Sequence, residues 1–258
     1  MISQFEQAQL LHHLHVKGDP LVLINIWDAG SAQAIQEIGA KVIATGSWSV
    51  AAAHGCDDGE HLSLDLVLAN LKRIRECVEI PVTIDIEGGY GHSPSQIRET
   101  VLKVIESGAV GINIEDQLMN EEGLYSMEDQ GLRITAAREA AEQTSIPLFI
   151  NARTDIFLQA RTDQHHDAHV EEAIIRARSY AESGASGFFA PGLHEAKHIE
   201  KLCRLSPLPV NIMVLPNTPT PHQLAELGVA RISYGPSPYQ QVMDSLKAVG
   251  IRALSMDN

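Results

Sequence analysis

Ser107-Gly108-Ala109 followed by Gly111-Ile112-Asn113-Ile114 reads as a helix end, a glycine stop, a small residue and then a strand. Glycine supplies the left-handed conformation that ends a helix. The lead-in recurs as Ile38-Gly39-Ala40 before Val42-Ile43-Ala44, as Ser183-Gly184-Ala185 before Gly187-Phe188-Phe189, and as Leu227-Gly228-Val229 before Arg231-Ile232-Ser233-Tyr234. A second lead-in sets proline at the strand start: Pro20 before 21–26, Pro81 before 82–86, Pro147 before 148–152 and Pro209 before 210–214. Proline is tolerated there because the first strand residue need not donate to the ladder. The two lead-ins alternate strictly along the chain, which predicts eight strands.

Helical patterns fill the intervals. Leu64, Val67, Leu68, Leu71, Ile74 and Val78 keep the spacing of one buried helical face, with Ser63 as N-cap. Thr220-Pro221 reads as a cap followed by proline in the first turn, and Gly228 ends that helix. Residues 95–107, 130–144, 168–182 and 194–203 also read as helices. Eight strand–helix units in 258 residues predict an α/β fold, a single (β/α)8 barrel spanning 1–258. An open doubly wound sheet is the runner-up, but no GxGxxG follows the first strand.

Composition narrows the function. Forty-four per cent of residues are hydrophobic and 20% charged, enough for a sizeable core. The balance of 19 basic and 33 acidic residues, 19 − 33 = −14, disfavours nucleic acid and anionic membrane surfaces as partners. No apolar run approaches the ~20 residues that span a bilayer. The polar N-terminus lacks the regions of a signal peptide. Three cysteines without CxxC spacing exclude a disulfide framework and a zinc finger, and point to the cytoplasm.

Several strands end in alternating polar residues: Thr83, Asp85, Glu87; Asn113, Glu115; Asn151, Arg153; Ser233, Gly235. Period two puts these on the inner face, so in a barrel they converge on the mouth where barrel active sites lie. Asp85, Glu87 and Glu115 would repel one another unless protonated or neutralised by a cation. Oxygen ligands without paired His or Cys favour Mg2+, with Mn2+ as the alternative. Arg153 offers a planar fork for a carboxylate, and the turn Thr45-Gly46-Ser47 can aim backbone N–H groups at an anion. Such a site suits a small chelating 2-oxo acid whose enolate the metal stabilises. His12, His13 and His15, and His165, His166 and His169, look like metal clusters. They lie in a polar N-terminal segment and in a loop before a helix, which argues against that role. Cys56 stands beside Asp57 and Asp58, which disfavour its thiolate.

These residues resemble the phosphoenolpyruvate mutase/isocitrate lyase superfamily. The matching stretches are Asn25-Ile26-Trp27-Asp28, Thr45-Gly46-Ser47, Asp57-Asp58-Gly59-Glu60, Asp85-Ile86-Glu87-Gly88-Gly89-Tyr90-Gly91, Gly111-Ile112-Asn113-Ile114-Glu115-Asp116 and Asn151-Ala152-Arg153-Thr154-Asp155. The resemblance implies a barrel whose last helix is exchanged between subunits of a homodimer or homotetramer. It implies Mg2+ held by Asp85, Glu87 and Glu115, with Asp58 in its outer shell. With the reading of the strand ends, it gives a candidate site: Asp58 and Arg153 as catalytic residues; Trp27, Thr45, Gly46, Ser47, Arg153 and Asn211 as substrate-binding residues. The superfamily's isocitrate and methylisocitrate lyases carry a Lys-Lys/Arg-Cys-Gly-His loop after the fourth strand. Here that stretch is Gln117-Leu118-Met119-Asn120-Glu121-Glu122-Gly123. Glu87 replaces their usual Asp, and Pro191-Gly192 replaces a Glu. The expected activity is a Mg2+-dependent lyase or decarboxylase acting next to a 2-oxo acid such as oxaloacetate. The alternatives are a C–P enzyme, either a phosphonopyruvate hydrolase or a mutase, and a non-catalytic metabolite-binding paralogue.

Overall fold

The computed structural model describes residues 2–119, 121–160 and 167–255. The chain runs α1 (Gln4–His13), β1 (Leu21–Leu23), β2 (Asn25–Ile26), α2 (Ala29–Glu37), β3 (Ile43–Thr45), α3 (Ser47–Ala53), α4 (Leu64–Cys77), β4 (Val82–Asp85), α5 (Pro94–Glu106) and β5 (Gly111–Glu115). It continues with α6 (Met127–Thr144), β6 (Phe149–Arg153), α7 (Ile156–Gln159), α8 (Asp167–Glu182), β7 (Gly187–Phe189), α9 (Ala196–Leu205), β8 (Val210–Met213), α10 (Pro221–Glu226), β9 (Arg231–Ser233) and α11 (Ser237–Leu254).

Every strand pairing is parallel, in the order β1-β9-β8-β7-β6-β5-β4-β3-β2. The predicted first strand is broken at Ile24. Leu21–Leu23 pairs with β9 and Asn25–Ile26 pairs with β3, so the chain itself closes the ring. Apart from that break, the strands fall within a residue or two of the expected positions. Helix starts follow local chemistry as well: Ser93, with Gln96, and Thr220, with Gln223, form reciprocal capping boxes. Ser63 precedes α4 without a side-chain cap bond.

The larger core lies between strands and outer helices and includes Ile84, Ile112, Ile150, Ile212 and Ile232. A second core fills the barrel at the strands' amino ends: Ala8, Leu11, Leu21, Leu23, Val42, Ala44, Val110 and Phe149. Helix α1 supplies its lid. Gln4 Nε2 donates to Ile105 O at the end of α5 and to Ala109 O, Gln7 Nε2 donates to Glu79 O, and His12 Nε2 meets Pro147 O, the last three just ahead of strands. Gly111 is required for this closure, because a Cβ there would stand 2.7 Å from both Leu11 Cδ2 and Thr83 Oγ1. The N-terminal segment, read from sequence as merely polar, is thus the plug of the barrel floor. His165 and His166 lie outside the described residues.

Helix α11 buries none of its residues, and Val242, Leu246, Val249, Ile251 and Leu254 are exposed. On the outside of β1 a groove of about 410 Å3 is lined by Val22, Ile24, Ile35 and Ile38 among others. No helix of the described residues is long and apolar enough to cross a membrane.

Candidate active site

The polar strand ends meet as period two predicts. Asp85 ends β4, Glu115 ends β5 and Arg153 ends β6, with Asp85 paired to Asn113 and Glu115 to Arg153 in the ladder. Asp85 and Arg153 line a cavity of about 170 Å3, together with Gly46, Ser47 and Asp58 among others. That volume lies below the range of drug-sized pockets and suits a small metabolite. Apolar side chains complete the lining: Trp48, Leu158, Phe189, Pro191 and Met213.

Arg153 is the hub. Its Nε and Nη2 donate to Asp155 Oδ1 and Oδ2 at 2.6 and 2.9 Å, Nη1 meets Glu115 Oε2 at 2.7 Å, and Asp85 Oδ2 lies 3.9 Å from Nη1. Burial opposes its charge, but Asp155, Glu115 and Asp85 outweigh that and hold it protonated. Three of its five N–H donors are therefore engaged. Asp155 takes the Nε–Nη2 edge and Glu115 one Nη1 hydrogen, so a ligand would meet the one remaining hydrogen on each of Nη1 and Nη2.

The acids are perturbed in one direction. Burial pushes Asp85 up against the opposing pull of Arg153. Burial pushes Glu115 well up, with Arg153 opposing and Asp155, Asp85 and Asp58 adding to the rise. Asp58, at the partly exposed rim, is pushed up by loss of hydration and then by Glu87, while a hydrogen bond from Ser47 works the other way. Such shared perturbation is the electrostatic signature of a functional site.

Glu87 is pushed up as well, by burial first, with Asp85 adding to the rise, but its carboxylate is engaged outside the cavity. Its Oε2 accepts from Gly59 N at 2.6 Å and Glu60 N at 2.5 Å, and its Oε1 from Tyr90 Oη at 3.0 Å. The residue is left-handed, with φ of 52°, as are Glu60 and Tyr90. Non-glycine residues in that region cost about 1–3 kcal/mol each and collect at functional sites. The longer Glu arm reaches the 57–60 loop and fastens it. Among the described residues no three His, Cys, Asp or Glu converge into a metal cage. Of the three expected metal carboxylates, Asp85 lines the cavity, while Glu115 meets Arg153 and Glu87 meets the 57–60 loop. Mg2+ commonly uses one or two carboxylates and keeps water or substrate in its other positions. Asp85, which lines the cavity, fits that mode, and Asp58 lines the same cavity.

Two expected substrate contacts are corrected. Trp27 packs edge-on against Tyr239 at 5.1 Å and is absent from the cavity lining, where Trp48 stands. Asn211 is buried below the cavity: it donates to Ser233 Oγ, Ile212 O and Arg231 O and accepts from Asn151 Nδ2. Its position on an inner face was legible, but not its depth. Thr45 Oγ1 accepts from Asp85 N, which leaves Gly46 and Ser47 as the turn residues on the cavity. Sequence reasoning missed two residues. Asn25 accepts from Tyr234 N and Gly235 N and donates to Thr45 O, tying the barrel seam beside the cavity. Asp155 orients Arg153; its place two residues on was the available signal.

A parallel α/β barrel with acids and an arginine at its carboxyl-end mouth defines the class: a TIM-barrel protein with its candidate site where barrel active sites lie. The sequence profile of the family Phosphoenolpyruvate phosphomutase matches residues 11–253, and the chain belongs to that family. A solved structure from Burkholderia cenocepacia J2315, provisionally named a phosphonomutase, superposes with a TM-score of 0.95 at 44% identity, covering 97% of this chain and 100% of that one. An uncharacterised Mycobacterium tuberculosis H37Rv protein is 35% identical over 88% of this chain and 82% of its own. The 2-methylisocitrate lyase of Escherichia coli K12 is 29% identical over 84% and 74%. The oxaloacetate decarboxylase of Pseudomonas entomophila L48 is 25% identical over 83% and 73%.

Proposed function

We propose that the chain is a divalent-metal-dependent lyase that breaks a carbon–carbon bond next to a 2-oxo acid, with decarboxylation of an oxaloacetate-like substrate as the simplest case. The make-up of the cavity carries this reading. Among its described lining residues Arg153 is the only Lys or Arg, set with Asp58 and Asp85 in an otherwise neutral and largely apolar wall. A phosphoryl group in transfer needs several cationic donors on its oxygens. The 117–132 stretch of the sequence, after β5, carries Glu121, Glu122, Glu128 and Asp129 and no Lys or Arg that could serve as such a donor. A carboxylate that leaves as CO2 departs uncharged and needs no such clamp. The relatives named oxaloacetate decarboxylase and 2-methylisocitrate lyase support the reaction class.

Asp85 would hold Mg2+, whose Lewis acidity would polarise the 2-oxo group and favour enolate formation. The free Arg153 hydrogens bind the substrate carboxylate. The apolar wall excludes water from the carbon that loses its bond. Asp58, with its raised pKa, is the group we assign to return the proton to that carbon. Purified protein with Mg2+ is expected to release pyruvate from oxaloacetate above the metal-only background, and little phosphate from phosphonopyruvate. Efficient phosphate release, or conversion to phosphoenolpyruvate, would replace this reading with a C–P enzyme. Binding of 2-oxo acids without turnover would replace it with a metabolite-binding paralogue.

We also propose that two copies associate through α11. One chain carries a helix with no buried residue and, separately, a groove on β1 lined by Val22, Ile24, Ile35 and Ile38 among others. Each satisfies the other across two subunits, as large unpaired apolar faces require. Sedimentation is expected to show a dimer or tetramer, and Leu246→Glu with Ile251→Glu a monomer. An unchanged assembly in that variant would refute the arrangement.

A further inference from the structure

Arg153 does not orient itself. Asp155, wholly buried, holds the Nε–Nη2 edge of the guanidinium through two bonds. The backbone N–H of Asp155 donates to Asp116 Oδ1 at 3.0 Å, and Asp116 N returns a bond to Arg153 O at 3.1 Å. Asp116, also wholly buried, is fixed from α8: Tyr180 Oη donates to its Oδ2 at 2.7 Å and Arg176 Nη1 at 3.1 Å. Arg176 is itself anchored by Glu172 one turn away and by Tyr125 O. Two carboxylates therefore sit back to back, one facing the active-site arginine and one facing a helix on the outside of the barrel.

We propose that Asp116 and Asp155, held from α8 by Tyr180 and Arg176, are positioning residues that fix which edge of Arg153 is offered to substrate. This inference rests on the reading that Arg153 binds the substrate carboxylate. A guanidinium has five N–H donors in a rigid plane, so whichever edge a partner occupies dictates the edge that remains. Among the described residues Arg153 meets Glu115, Asp85 and Asp155. Only Asp155 binds two of its nitrogens, which makes it the contact that sets the rotation of the plane. A carboxylate can do this only if it cannot turn, and Asp155 is pinned through its own backbone by Asp116. Burial of such a network is costly unless every member is paired. Its pairing out to α8 shows why Arg176 and Tyr180 lie on that helix's inner face. Its effect should be on binding, since none of Asp116, Asp155, Arg176 or Tyr180 lines the cavity.

The test is titration calorimetry of Mg2+-loaded protein with pyruvate as the probe, alongside KM and kcat on oxaloacetate and thermal melting. Asp155→Asn is expected to weaken pyruvate binding and raise KM about tenfold or more, the scale of a bond to a charged group, with kcat changed far less. Tyr180→Phe, which keeps the ring, is expected to shift both about threefold in the same direction with a near-parental melting temperature. Arg153→Lys is expected to bind worst. If Arg153→Lys loses affinity while Asp155→Asn and Tyr180→Phe bind like the parent, the positioning role is refuted and the role of Arg153 stands. Lowered melting temperatures with unchanged affinity make the network purely structural and likewise refute it. Parental affinity in Arg153→Lys removes both the inference and the reading beneath it.

Discussion

The two ends of one barrel hold opposite kinds of polar group. At the amino-end floor the polar side chains are neutral: Gln4, Gln7 and His12 cap carbonyls, and His15 stacks on Phe149 with ring centroids 3.9 Å apart. At the mouth Asp58, Asp85, Glu115 and Asp155 crowd one guanidinium, and the adjoining loops hold three left-handed non-glycine residues. Between them lies a buried belt of Asn113, Asn151, Asn211 and Arg231. Each polar group at the floor costs little to bury, because it is uncharged and mostly paired. The mouth keeps charges that folding alone would remove. That contrast separates what holds the barrel from what the barrel holds.

The largest effect expected from breaking the contrast is at Asp85. Asp85→Asn keeps the size and removes the charge. Burial already raises this carboxyl, so the ionised form works against folding at neutral pH. The variant should melt at the parental temperature or above it. It should also lose Mg2+ and Mn2+ binding in calorimetry, and turnover should fall to the metal-only background. Loss of a metal-binding carboxylate should exceed the 10–100-fold that even supporting residues cost. Undiminished cation affinity in Asp85→Asn would place the cation elsewhere.

The fold was legible because glycine stops and strand-start prolines act locally, through the backbone of the residue itself. The mouth was legible as a set because period two is rigid along a strand. Individual roles were not, since they depend on side-chain reach. Glu87 is one methylene longer than Asp, and that length carries it to Gly59 and Glu60. Asn211 sits on β8 and Trp27 just past the end of β2, and the stagger of strands around the ring, which comes from the closed barrel rather than from any one strand, decides their depth. The α1 plug was hidden because its buried face is small, only Gln7, Ala8 and Leu11 within the helix.

A smaller effect, and one that sharpens the contrast, is expected from the floor. His15 Nδ1 meets Leu11 O at 2.7 Å, so that nitrogen carries the hydrogen of a neutral ring. Burial first, then the Arg231 charge, lowers its pKa from 6.5 to about 3. The sign follows from linkage. Below pH 6.5 the unfolded chain takes up a proton that the folded chain refuses until about pH 3. Stability from neutral His15 is therefore complete above pH 6.5 and is lost as pH falls towards 3. One pH unit below the unfolded value, near pH 5.5, the loss is about 1.4 kcal/mol. The mouth pulls the other way. Asp58, Asp85 and Glu115 have raised pKa values, so the folded state takes up protons there first and gains stability on acidification. Total stability against pH mixes the two ends, and the informative quantity is the difference between the parent and His15→Leu. Denaturant unfolding without added metal should show that difference moving by about 1.4 kcal/mol in favour of His15→Leu between pH 7.5 and 5.5. A difference that stays constant across that range would mean that His15 is protonated in the folded protein, and the neutral floor would no longer stand against the charged mouth.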